Sequence, residues 1–287
     1  MAIFVNGRVI NGTPGYDNIV GNSLGDHYQM TANYEVTDSV NGGAGADTVS
    51  YVNADRAVDV TMGSGRTWGH TEADFVTLQF TNPVTGRLFQ NVETQTVTQF
   101  TNIENVIGSS FADTINGNAG ANRISGGAGD DVIDGGGDTD IITGGRGGDY
   151  MTGGAGADRF VFTSFDDSAA SPVLSSQITA GFNPYDPGVG VDYIPDFLVG
   201  QDIIDLSGMD ANSTVAGDQA FKVVEGFTGH AGELVLMDIY QGPTIDTPGM
   251  WFTAALGDLD GDAAWDFQLR VTNPFTIDTI TSADFIL

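Results

Sequence analysis

The sequence predicts an all-β fold built as a parallel solenoid. Three observations predict it: a nine-residue period that runs unbroken through the middle of the chain, glycines at fixed places in each period, and one apolar residue at each eighth position.

The period is plainest from Gly108 to Val161, as GSSFADTIN, GNAGANRIS, GGAGDDVID, GGGDTDIIT, GGRGGDYMT and GGAGADRFV. The eighth positions are Ile115, Ile124, Ile133, Ile142, Met151 and Phe160. Glycines at positions one, two and four let the backbone take turn conformations closed to other residues, and the turn exposes its carbonyls. Positions seven to nine then form a short strand whose single apolar side chain points inward. Two repeats make one coil, so turns eighteen residues apart stack on the same edge.

The sixth position carries the chemistry. It holds Asp113, Asn122, Asp131, Asp140, Asp149 and Asp158. Stacking places Asp113, Asp131 and Asp149 along one edge and Asn122, Asp140 and Asp158 along the other. Like charges at strand spacing repel one another, so a hard cation must sit between them. Carboxylates and carbonyls in a flexible, oxygen-only set suit Ca²⁺ better than Mg²⁺. Several calcium ions are therefore the expected cofactor. The ligand candidates are those six side chains and the turn backbone at Gly127, Gly129, Gly136, Asp138, Gly145, Gly147, Gly154 and Gly156.

Composition agrees. The chain has 38 acidic against 9 basic residues, a net charge of -29, and this excludes nucleic acid as a partner, which needs clustered Lys and Arg. With no cysteine, neither a disulfide framework nor a thiolate metal site is available. The unit returns near the N-terminus as GTPGYDNIV at Gly12, GNSLGDHYQ at Gly21, NYEVTDSVN after a three-residue slip, and GGAGADTVS at Gly42. Its sixth positions are Asp17, Asp26, Asp38 and Asp47. The first three repeats are degenerate, so Gly43, Gly45 and Asp47 make the stronger set, with Asp17 the outlying candidate.

GGxGxDxUx repeats are the mark of the RTX family, which this chain resembles. Residues from about 153 to 287 are similar to the C-terminal domain that follows the roll in serralysin-type metalloproteases. That likeness rests on GADRFVFTSFDDSAAS, DYIPDFLVGQDIIDLSGMDAN, GDQAFKVVEGFTGHAGEL, GDLDGDAAWDFQLRV and TSADFIL. The resemblance implies a parallel β-roll continuing into a β-sandwich-like domain. It also implies export by a type I secretion system, reading Asp284-Phe285-Ile286-Leu287 as an uncleaved signal. The N-terminal residues offer no basic segment or apolar run of secretory type, so the expected location is extracellular without a cleaved leader. Four segments follow: degenerate repeats over 1–50, a β-rich insertion over 51–107, the roll over 108–162, and the serralysin-type domain over 163–287. Within the insertion, Phe75–Phe80 and Val92–Val97 read as strands.

Other motifs carry less. A serralysin protease needs HExxH, and the three histidines, His27, His70 and His230, form no such motif. Gly21-Asn22-Ser23-Leu24-Gly25 fits the hydrolase pattern GxSxG, but its residues fall in phase on the repeat beginning at Gly108 and read as a repeat variant. Asp258, Asp260 and Asp262 alternate as in a short calcium loop, with Asp266 beside them, yet the flanking helices and distal glutamate of an EF-hand are missing. Asp166, Asp167 and Asp192 flank the end of the roll as weaker ligands. Asp186-Pro187 resembles the bond cut in self-cleaving relatives. The expected function is a calcium-binding extracellular protein, folded by calcium after export, non-enzymatic, with an extracellular polysaccharide or cell-surface ligand as partner. The competing reading is the secretion and folding module of an enzyme acting on protein, lipid or polysaccharide.

Overall fold

A computed structural model describes residues 39–54, 57–62, 99–168, 190–241, 250–272 and 280–287, together with isolated strand backbone at 2–4, 9–11, 18–20, 27–29, 69–70, 80–81 and 88–89. The fold is all-β, and among the described residues two short 3₁₀ turns, Phe165–Ser168 and Ser282–Asp284, accompany the strands. Among the described residues no helix is long and apolar enough to cross a membrane. The expected strands Phe75–Phe80 and Val92–Val97 lie almost wholly outside the described residues, as do Gly21–Gly25 and Asp186-Pro187.

The chain divides into two compact units, Met1–Ile115 and Asn116–Leu287. The first is itself a parallel stack. Ala2–Phe4, Asn18–Val20, Ser39–Asn41 and Gln99–Thr101 pair in one sheet. Val9–Asn11, His27–Gln29, Thr48–Ser50 and Asn105–Ile107 pair in the other. Successive strands alternate between the sheets, which is what a nine-residue half-coil dictates. Gln99–Thr101 and Asn105–Ile107, placed by sequence in the insertion, are thus rungs of this stack: Phe100 pairs with Val40, and Val106 with Val49.

In the second unit, Arg123–Ala128, Ile141–Arg146, Arg159–Val161, Ile203–Asp205 and Phe285–Ile286 form one parallel run. The other begins with Val132–Gly136, Tyr150–Thr152, Asp192–Ile194 and Phe267–Val271, also parallel. It then turns antiparallel through Met250–Asp258 and Glu233–Gln241 before a final parallel strand, Lys222–Val224. The parallel ladder therefore runs beyond residue 162 to the last residues of the chain. The apolar column dictates the stacking: Ile124, Ile142, Phe160 and Ile204 follow one another in register, each 0–1% exposed, and Phe285 closes the series at 8%. Side chains of this size contribute about 1.5–3 kcal/mol each when fully buried. Phe197 lies tilted against Phe160 at 6.3 Å, and Phe162 meets Phe267 edge-on at 5.9 Å, so the later elements pack on the same core.

Several strands exceed the expected three residues. Arg123–Ala128 and Ile141–Arg146 each have six, because pairing continues through the glycines that open the next repeat, Gly127 against Gly145. Close stacking also explains why those glycines are needed. Gly145 has φ +110°, and a Cβ there would overlap the Gly127 carbonyl oxygen of the preceding coil. We expect Gly145→Val to cost more than 3 kcal/mol, strain and backbone collision together, measured as a drop in the denaturation midpoint at saturating calcium. An unchanged midpoint would show that the coils tolerate separation.

Candidate metal centre

Five turns are set by two left-handed backbone positions, two residues apart, whereas the turns beginning at Gly108 and Gly117 have none at those positions. The left-handed pairs fall at Gly43 and Gly45, Gly127 and Gly129, Gly145 and Gly147, and Gly154 and Gly156. In the fifth such turn Gly136 pairs with Asp138, whose φ of 67° is left-handed without being glycine. Aspartate tolerates this region better than most residues. These are the second and fourth positions of the repeat, and the conformation carries their carbonyls around the turn edge.

The sixth residue lies inside that turn. Asp131 and Asp140 are 0% exposed, and Asp149 and Asp158 are 1% exposed. Their carboxylates form a ladder in which Oδ1 of one rung accepts the backbone N–H of the sixth residue one coil earlier. Asp140 accepts from Asn122 at 2.7 Å, Asp158 from Asp140 at 2.9 Å, and Asp149 from Asp131 at 2.8 Å. The other oxygen is the telling one. Oδ2 of Asp140, Asp149 and Asp158 is buried and accepts no hydrogen bond.

Electrostatics follow from that burial. Desolvation pushes the Asp140 carboxyl up to about 7, opposed by the Asn122 N–H and reinforced by Asp158, Asp138 and Asp134. Desolvation likewise pushes Asp149 up to about 8, against the Asp131 N–H and with Asp130 and Asp167 adding to the rise. Asp158 is raised for the same first reason, with Asp196 contributing. Near neutral pH these columns require a proton or a cation. The donors on offer are carboxylate and carbonyl oxygens only, with no nitrogen or sulfur ligand, which fits a hard, high-coordination ion.

The ladder extends past the residues legible as repeats. Asp192 Oδ1 accepts the Asp149 N–H at 2.7 Å, and Asp202 Oδ1 accepts the Asp158 N–H at 2.9 Å. Burial pushes Asp202 up to about 6. Asp167 closes a turn of its own, with Oδ2 taking the N–H groups of Thr163 at 2.7 Å and Ser164 at 2.9 Å. Asp196, which carries no repeat signature, accepts from Gly153 at 3.2 Å and Gly154 at 2.8 Å.

The remaining predicted residues are placed differently. In the first unit Asp113 is buried and accepts from Val58 N–H at 2.7 Å and Ser109 N–H at 2.5 Å. Asn122 accepts the Asn118 N–H at 2.8 Å. Asp47 is wholly buried, and its N–H donates to Glu104 Oε2 at 2.8 Å. Glu104 thus takes the place that a sixth-position aspartate holds elsewhere, a role hidden by its longer side chain and by the lack of glycines before it. Asp17 lies outside the described residues, as do Asp26 and the side chains of Asp38 and Asp166. Asp258, Asp260 and Asp262 bring one carboxylate oxygen each within 4.8 Å of one another. Asp258 is buried, with its two oxygens taken by the N–H groups of Gly261 at 2.7 Å and Ala263 at 3.0 Å. Burial raises Asp266 beside them, opposed by the Leu259 N–H and reinforced by these three aspartates.

Comparison with known proteins bears on this geometry. The RTX calcium-binding nonapeptide repeat model matches residues 37–50, 107–142 and 134–169, in four copies. The chain therefore carries RTX calcium-binding repeats arranged as a β-roll, and calcium is their ion. No curated protein matches the sequence. Among solved structures, the AlgE6R3 subunit of the Azotobacter vinelandii mannuronan C5-epimerase overlays with 25% identity and a TM-score of 0.42, covering 63% of this chain and 80% of that one. The AlgE6R2 subunit of the same epimerase overlays with 24% identity and a TM-score of 0.40, covering 63% and 90%. The extracellular lipase LipA from Serratia marcescens overlays with 11% identity and a TM-score of 0.30, covering 99% of this chain and 40% of the lipase.

Proposed function

We propose that this chain is an exported protein that calcium folds outside the cell, with Asp131, Asp140, Asp149 and Asp158 and their turn carbonyls holding the ions. The observation that carries the reading is the buried Oδ2 atom at Asp140, Asp149 and Asp158 that accepts no hydrogen bond. A folded roll with those oxygens ionised and unmatched is strongly disfavoured. Calcium supplies the match outside the cell, where it is plentiful, and its scarcity in the cytosol keeps the chain translocatable.

A type I system is the route that fits, with Asp284–Leu287 as the determinant it reads. After folding, the protein acts as a calcium-set binding or matrix body, with polysaccharide or cell surface as its partner. The sequence has no HExxH, and its GxSxG falls on the repeat phase, which supports a non-catalytic role. Co-expression with a type I transporter tests the proposal. The intact chain is expected in the medium, whereas removal of Asp284–Leu287 leaves it in the cells. Equal export of both forms takes the tail out of the account, and calcium-dependent turnover of lipid or glycan by the purified chain would replace the non-enzymatic reading.

A further inference from the structure

The geometry points to a calcium gate on the segment Asp284–Leu287: it is the last rung of the roll, withdrawn when the turn 153–158 is set by calcium and released when that turn is not. The consequence for export rests on the reading above, but the gate itself rests on contacts in the second unit.

The segment is built into the parallel sheet. Phe285 pairs with Ile204 and Ile286 with Asp205, and Leu206 N–H donates to the Ile286 carbonyl at 2.8 Å. Phe285, Ile280 and Asp284 are all buried. Asp284 ties the segment to the fold once and caps its own turn once. Its Oδ1 accepts the Gly200 N–H at 3.0 Å, and its Oδ2 accepts the Thr281 N–H at 2.8 Å. A two-residue strand has no stability of its own, so its order is borrowed from what it docks on.

What it docks on is clasped to one calcium turn. Asp202 accepts the Asp158 N–H, and Asp196 accepts the N–H groups of Gly153 and Gly154. The Gln201 amide donates to the Gly156 carbonyl, and Ile203 N–H donates to the Asp158 carbonyl at 2.8 Å. The ladder Arg159–Val161 against Ile203–Asp205 continues directly from the turn, with Arg159 donating to Asp205. Within the turn itself every anchor is a backbone group of residues 153–158. Those groups converge only while Gly154 and Gly156 hold left-handed φ values of 90° and 156° around the buried Asp158. Order therefore passes from the cation to the turn, to the clasp at 196–202, and through Gly200 to Asp284.

A transporter that reads Phe285, Ile286 or the extended backbone around them competes with the sheet for the same groups. The ion that folds the roll thus also retires the export determinant, and a chain that has folded outside cannot re-engage the channel.

Hydrogen exchange on the full chain tests this, read by mass spectrometry across a calcium titration. Peptides covering 280–287 are expected to exchange freely in chelator and to gain protection at the calcium midpoint of peptides covering 153–158. In Asp196→Ala at saturating calcium, repeats 126–152 stay protected while 280–287 exchange about tenfold faster, the loss of two hydrogen bonds from the clasp. Equal protection of 280–287 with and without calcium overturns the gate, as does protection unchanged in both Asp196→Ala and Asp284→Ala. Should Asp196→Ala fail to fold, Gln201→Ala, which removes the clasp bond to the Gly156 carbonyl, is read in its place, and unchanged protection of 280–287 in it overturns the gate. Export that ignores deletion of the tail would remove the reader and leave the gate standing; exchange that ignores calcium would do the reverse.

Discussion

Chelation of calcium is expected to abolish most of the β structure of the second unit. With calcium at ten times its dissociation constant, each site adds about 1.4 kcal/mol to folding, and several sites together reach the ~5–15 kcal/mol that is the whole stability of a typical domain. Removing the ions does more than subtract that gain. It leaves Asp140, Asp149 and Asp158 each with a buried oxygen that accepts nothing, and an uncompensated buried charge costs roughly 3–5 kcal/mol. The two apolar columns, Ile124, Ile142 and Phe160 on one side and Ile133 and Met151 on the other, are too thin, at one residue per nine, to hold the coils against that cost. Far-ultraviolet circular dichroism should show a largely disordered chain in EDTA at pH 7.5 that regains β signal cooperatively with calcium. Magnesium at the same concentration should not replace it, because its octahedral preference and tight hydration suit carbonyl-lined turns poorly. Full β signal in chelator, with an unshifted thermal midpoint, would mean that the carboxylate ladder is satisfied without metal.

Much of this architecture is legible in the sequence because the nonapeptide writes its own geometry. The left-handed glycines at 127, 129, 145, 147, 154 and 156, the inward Ile124 and Ile142, and the buried Asp131 to Asp158 all follow from a nine-residue phase. What the sequence hides is whatever breaks phase while keeping the fold. Asp192, legible only as a weak flanking ligand, and Asp202, not legible at all, occupy ladder positions, yet neither falls on the period that ends at Asp158, and ten residues separate them where nine would be expected. Pairing is decided by the inward Ile204, packed after Phe160, and register in space does not require register in sequence. Glu104 escapes for a related reason: it sits between Ile103 and Asn105 with none of the turn glycines, and only its bond to Asp47 reveals its position. Asp196 and Gln201 act across more than forty residues, on backbone groups that any sequence would supply. The tail is the sharpest contrast. As a tetrapeptide it reads only through resemblance, whereas in the fold Asp284 is buried and bonded to Gly200.

Acid is expected to do part of calcium's work, and the direction is fixed by the carboxyls of Asp140 and Asp149. Unfolded, each titrates near 3.8; in the folded, metal-free roll they titrate at about 7 and about 8. A raised value means that the folded state holds its protons more tightly than the unfolded chain. The stability tied to those protons is present in full below pH 4 and declines as pH rises through the folded values of about 7 and about 8, above which both states are ionised and the folded one bears the whole desolvation cost. Two carboxyls raised in the same direction make stability without metal fall across this range. In EDTA the unfolding midpoint should therefore be higher at pH 5 than at pH 8. With saturating calcium the order reverses, because protons now compete with the ion for Oδ2. Proton release separates the two states of the ladder directly. Calcium added to unbuffered protein at pH 5 should liberate protons held by the acid-folded roll. At pH 8, where the metal-free chain is unfolded and already ionised, calcium should fold it with almost none released. A midpoint in EDTA that rises with pH would contradict the burial of these carboxylates, and with it the requirement for a cation at neutral pH.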